Sequence, residues 1–212
     1  MSLSLSQVSQ AQDDRDNPWV FSPHERFHGR TYAELGARWW VEGYSIPIIN
    51  GDHPALSGGV FGWDRDLRFL VGGANPVINV TVPEDTALFV PITNQEGCNF
   101  DGFDSEDDEL AFVDAFEDAV TDQSATIDGH SIRIGSKYRS TRYFEVVLPA
   151  NNLESLPAGS DLEGYESGYY LLLKPLKKGK HVLHITGTYH FDGQDYPTDY
   201  TFNITVKRDH DR

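Results

Sequence analysis

From residue 67 onward the chain is a succession of short apolar or alternating runs broken by turn residues. This rhythm constrains the fold more than any other feature. "LRFLV", "PVINVTVP", "TALFVPI", "RYFEVVLP", "GYYLLLKPL", "KHVLHITGTYHF" and "YTFNITVK" follow one another closely, and "SATIDGHSIRI" reads as a hairpin turning at Asp128-Gly129. Runs this short, rich in β-branched and aromatic residues, fit a pleated and half-buried surface. In "PVINVTVP" Val77, Asn79 and Thr81 alternate with Ile78, Val80 and Val82, whereas "TALFVPI" is apolar throughout, as a strand covered on both faces must be. Joined by "KKG" and "DGQDYP", these strands predict a mainly β fold: a two-sheet antiparallel β-sandwich, jelly-roll-like, with two helices.

The first helix is predicted over 31–43. Thr31 and Glu34 form a T-x-x-E capping box, and Tyr32, Leu35, Trp39 and Gly43 recur at helical spacing with Gly36 and Trp40 beside them. Glu34–Arg38 and Arg38–Glu42 are i,i+4 pairs on another face. The second helix lies in "DSEDDELAFVDAFEDAVTD", with Ser105 as cap and Leu110, Val113, Phe116 and Val120 as the apolar stripe. Residues 50–66 read as loop and residues 1–17 as a polar, disordered tail, which leaves 18–212 as one domain without an internal linker or repeat.

With a formal charge of −16, the surface repels phosphate backbones and anionic lipid, so nucleic acid is a poor partner. No run of about 18 apolar residues is present, so no helical membrane insertion is expected. The opening residues lack the basic start and apolar stretch of a signal peptide. Cys98 is the single cysteine, which rules out an intrachain disulfide.

Several groups carry possible chemistry. His24-Glu25-Arg26-Phe27-His28 has the H-E-x-x-H spacing of zinc hydrolases, in which two histidines one helical turn apart hold the metal. Gly29 and the new capping box at Thr31 cut any such helix short, so an exposed loop without metal is expected there. Glu96, just past the buried run "ALFVPI", is a candidate general acid or base, or else a turn carboxylate capping backbone N–H groups. Asn94 beside it is well placed to line a cleft. Trp39 and Trp40 offer flat faces for a sugar ring, or else plug the helix onto a sheet. Glu34 and Arg38 form either a pair beneath a site or an ordinary surface pair. Asp101, Asp104 and Asp107 offer carboxylates for Ca²⁺ but fit no EF-hand spacing, and an acidic helix start accounts for them without metal or other cofactor.

"TYAELGARWW" followed by "SIP" resembles the Y-x-E-x-x-x-R-W-W…S-I-P pattern of a family of mostly exported bacterial proteins of unassigned function. The likeness continues in "TVPEDTALFVPITNQE", "SATIDG" and "SGYYLLLKPLKKGKHVLHITG". It implies export and carries no catalytic assignment. The expectation is therefore an exported binding module for a carbohydrate, a small ligand or a surface partner. The alternative is a hydrolase or lyase using Glu96, with Trp40, Glu34 and Arg38 shaping substrate contact; a zinc hydrolase through His24, Glu25 and His28 is more remote. Glu34 or Arg38 is expected within reach of Asn94 or Glu96.

Overall fold

The computed structural model describes residues 17–208. Ten strands form two five-stranded sheets. The strands are β1 (Gly59–Phe61), β2 (Leu67–Val71), β3 (Val77–Pro83), β4 (Ala87–Cys98), β5 (Val120–Ile127), β6 (His130–Ile132), β7 (Arg139–Val147), β8 (Asp161–Leu173), β9 (Gly179–Phe191) and β10 (Gln194–Lys207). One sheet has the order β1-β2-β4-β8-β7 and the other β3-β10-β9-β5-β6. The mainly β, two-sheet architecture is the expected one, but the sheets are mixed. β2 runs parallel to β4, and β3 runs parallel to β10. Hairpin-style reading of neighbouring runs does not reveal these pairs, because each joins strands distant in sequence or separated by a crossover.

Helix α1 (Tyr32–Tyr44) begins as expected: the Glu34 N–H donates to Thr31 Oγ1 at 3.2 Å and the Thr31 N–H to Glu34 Oε2 at 2.7 Å. It runs one residue past Gly43 and is closed by Ser45, whose hydroxyl donates to the Val41 carbonyl at 2.6 Å. A one-turn helix, α2 (Pro54–Ser57), interrupts the expected loop, with His53 as cap and Pro54 at the first position. Helix α3 (Glu106–Asp118) starts at Ser105 as expected. Its buried residues are Glu109, Val113 and Glu117, so two acids lie on the covered face where only an apolar stripe was predicted.

The first sheet is covered on both faces. On one, Tyr32 of α1 meets Phe89 edge-on at 5.9 Å and Phe89 stacks on Tyr170 at 5.0 Å. On the other, Thr93 of β4 lies against Gly187 of β9 in the second sheet. This accounts for the uninterrupted burial of Ala87 through Thr93. Asn17, read as tail, is 5% exposed; its amide donates to the Arg133 carbonyl at 2.7 Å and the Tyr138 hydroxyl at 2.8 Å. Residues 1–16 of that segment lie outside the described residues.

Candidate functional site

The C-terminal half of α1 and the far end of β4 meet over the first sheet, and this junction holds the densest chemistry of the described residues. Antiparallel register sets Glu96 of β4 opposite Glu166 of β8, and Asn94 opposite Gly168. The Tyr44 hydroxyl, from the last turn of α1, donates to Glu96 Oε1 at 3.1 Å; Glu96 Oε2 is buried without a partner. Burial pushes the Glu96 carboxyl up to about 7, Asp101 adds to the rise, and the Tyr44 hydrogen bond opposes it. Burial, and then the charge of Glu96, raises the Tyr44 hydroxyl, which therefore stays a donor. Cys98 is 1% exposed, and its backbone N–H donates to Asp101 Oδ2 at 2.8 Å. Burial pushes its thiol up to about 12. The candidate ligand atoms of Glu96, Cys98 and Asp101 lie within 4.8 Å of one another. A thiol raised by burial is a poor nucleophile in this environment.

Trp39 is the wall common to two cavities. Its indole N–H donates to the Leu70 carbonyl at 2.9 Å, and its ring meets Trp40 at 5.0 Å and Phe61 at 5.7 Å, both edge-on. On one side lies an apolar cavity of about 60 Å³ bounded by Trp40, Tyr44, His53 and Leu153. On the other is a cavity of about 160 Å³ bounded by Gly72, Pro91, Asn94, Thr198 and Tyr200. A Cβ at Gly72 would collide with the Tyr200 ring, so that glycine lets the ring lie flat on the backbone of the cavity wall. Asn94 Nδ2 is buried there without a hydrogen-bond partner. Trp40 stacks on Tyr44 at 5.7 Å and on Phe144 at 6.3 Å, with its N–H buried beside the Tyr170 hydroxyl and lacking a hydrogen bond of normal geometry.

The two expected stretches thus come together, but through other side chains. Glu34 is spent on the capping box and lies 3.5 Å from Arg26. Arg38 holds Glu42 and Asp64, each at 2.5 Å. Neither bonds to Asn94 or Glu96. The reason is helical phase: Glu34, Arg38 and Glu42 form one stripe, and Gly36, Trp40 and Tyr44 form another, offset by a little over half a turn. The second stripe faces β7 and β8, where Trp40 and Tyr44 stack on Phe144 and Gly36 meets Glu166, and its last residue, Tyr44, reaches Glu96 of β4. Burial raises Glu42, and the Arg38 hydrogen bond holds Asp64 below its ordinary value.

The segment His24 to His28 forms turns, with Phe27 bridged to Arg30 and His28 in the left-handed region at φ 50°. His24 is exposed, and His28 Nε2 pairs with Asp66 at 2.9 Å. No helical turn places the two rings on one face, which is the geometry the zinc reading requires. Protein purified without added metal should carry no stoichiometric zinc by elemental analysis. Tight zinc that is lost together with the fold on His24→Ala would overturn this. Asp104 and Asp107 do not join Asp101 in any group of metal-reaching side chains among the described residues.

Besides Glu109, two more buried carboxyls escaped sequence reading. Glu117 is 1% exposed and accepts from the Tyr189 hydroxyl at 2.8 Å and Thr93 Oγ1 at 3.3 Å. Burial pushes it up to about 7. Glu166 is fully buried and accepts from the Tyr170 hydroxyl. A signal for each exists: Glu117 stands four residues after Val113 on the covered face, and Glu166 alternates with Gly164 and Gly168, glycines where a Cβ would strike β4 and which mark a crowded strand.

Fold and site together define a two-sheet sandwich with a helix laid over one face and a cavity beside it. No family model matches the chain, and no curated protein matches it. Among solved structures, "Solution Structure of Amebosin" is similar at 11% identity over 61% of this chain and 88% of that one, with a TM-score of 0.21. No helix among the described residues is long and apolar enough to cross a membrane.

Proposed function

We propose that the chain is a binding module for a small neutral ligand, with a carbohydrate as the chemical class that suits the cavity between Trp39 and Tyr200. The observation that carries this reading is Asn94, a residue lining that cavity whose Nδ2 is a buried donor with no partner. A donor left unmade costs stability, and a ligand oxygen would satisfy it. The Thr198 hydroxyl and two aromatic rings supply the remaining recognition chemistry of a polyol. The resemblance to exported bacterial proteins leads us to propose an extracytoplasmic setting as well.

A second reading, a hydrolase or lyase with Glu96 as acid or base, draws on a carboxyl poised near neutrality beside the Tyr44 hydroxyl. Binding is favoured because Glu96 lines neither cavity beside Trp39. The test is a screen of neutral glycans and metabolites by tryptophan fluorescence, repeated with Asn94→Ala. That substitution should weaken binding about tenfold while leaving stability unchanged or improved, because it deletes an unsatisfied donor. Glu96→Gln should leave binding intact. Turnover of a hit that disappears in Glu96→Gln would favour the enzyme, and a screen without binders would remove the binding reading.

A further inference from the structure

Helix α1 rests directly on the Glu166 side chain. A Cβ at Gly36 would come within 2.6 Å of Glu166 Oε1, so the helix backbone lies against that oxygen. Glu166 is 0% exposed; Oε2 accepts from the Tyr170 hydroxyl and Oε1 has no hydrogen-bond partner. No ion pair reaches it among the described residues. We propose that Glu166 is a proton lock on α1: the helix is seated on the neutral carboxylic acid, and loss of that proton loosens the α1–β8 contact.

The surroundings explain why the neutral form holds the helix. From its own strand Tyr170 offers one hydroxyl. From α1 come the uncharged Gly36 and, beside that hydroxyl, Trp40. On β7 the opposing residue is Arg142, which is exposed, although its charge favours ionisation. On β4 the opposing residue is Glu96, and from α3 the charge of Glu117 disfavours ionisation. Burial dominates and raises the carboxyl well above its ordinary range. A carboxylate with one hydrogen bond and no cation is costly in such a place, and movement of α1 is the route by which water reaches it.

Linkage fixes the size of the effect. Between the ordinary carboxyl value and the raised one, the seated state holds a proton that the loosened state gives up. The opening constant of α1 therefore rises about tenfold per pH unit. Glu96 also touches α1, through Tyr44, but its value of about 7 ends its contribution near neutrality. The difference between the wild type and Glu166→Gln therefore isolates Glu166's share.

Hydrogen exchange of the α1 peptide, corrected for intrinsic rates and followed from the ordinary carboxyl range upward in both the wild type and Glu166→Gln, tests the lock. The wild type should show an opening constant that rises with pH more steeply than in Glu166→Gln, the difference approaching about tenfold per unit while the seated carboxyl keeps its proton, with β9 protected throughout. An equal slope in Glu166→Gln, a flat wild type, or loss of α1 and β9 protection together would overturn it. Should Glu166→Gln fail to fold, infrared spectra of the wild type decide. A carboxylic acid C=O band persisting in the folded protein well above pH 7 is expected, and its absence refutes the lock.

Discussion

Replacing Trp39 by alanine should cost about 3–5 kcal/mol, read as a lowered midpoint in urea. The indole is 7% exposed and belongs to the main core cluster. Its loss removes two edge-on ring contacts and leaves the Leu70 carbonyl without its donor. It also merges the two cavities that the ring now separates, so the void left behind is larger than the side chain and little can collapse into it. Trp40→Ala should cost less, because that ring is only half-buried and its N–H makes no good hydrogen bond. Unchanged melting temperatures in both variants would mean that α1 is not seated on the sheet as described.

Stability should fall as pH rises from 5 to 7. Glu96 and Glu117 each sit at about 7 against an ordinary 4.5. In that window the folded chain keeps protons that the unfolded chain has released, so unfolding grows easier with every increment of pH. Below the unfolded value both states are protonated and the contribution is fully present; above the folded value both are ionised and it is gone. The two groups together make the difference several kcal/mol at most, about 3 each. Glu166, raised by burial well above its ordinary range, acts in the same direction. Asp64 and Asp128, held below their ordinary values, act oppositely at the acid end. Urea midpoints at pH 5 and 8 measure the fall, and Glu117→Gln should remove Glu117's share of it. A wild type more stable at pH 8, or a Glu117→Gln variant with the same slope, would contradict the assignment.

What was legible in the sequence were features encoded within a few residues. The Thr31 capping box, the Ser105 cap, the strand over 67–71 and the Asp128-Gly129 turn all lie where local chemistry puts them, the last with φ of 51° and 79°. What was not legible depends on partners remote in sequence. The parallel pairs have no local signature. β8 begins at Asp161 rather than Gly168 because Gly164, where a Cβ would strike the backbone of Gly97 and Cys98, reads as a turn residue until its neighbour strand is known. Of the candidate residues, Trp39 and Asn94 line one cavity, Trp39 and Trp40 line the other, and Glu96 lines neither, while Glu34 and Arg38 belong to another stripe of α1. Tyr44, Glu117 and Glu166 drew no notice, since spacing shows which face a residue shares but not what will cover that face.

The central claim is that Asn94 offers its amide to a ligand held between Trp39 and Tyr200. Nuclear magnetic resonance of the Asn94 side-chain NH₂ during titration with a hit from the glycan and metabolite screen tests it most directly. The two proton resonances should move and saturate together with the quenching of tryptophan fluorescence. A ligand that saturates the protein while those resonances stay fixed would contradict it.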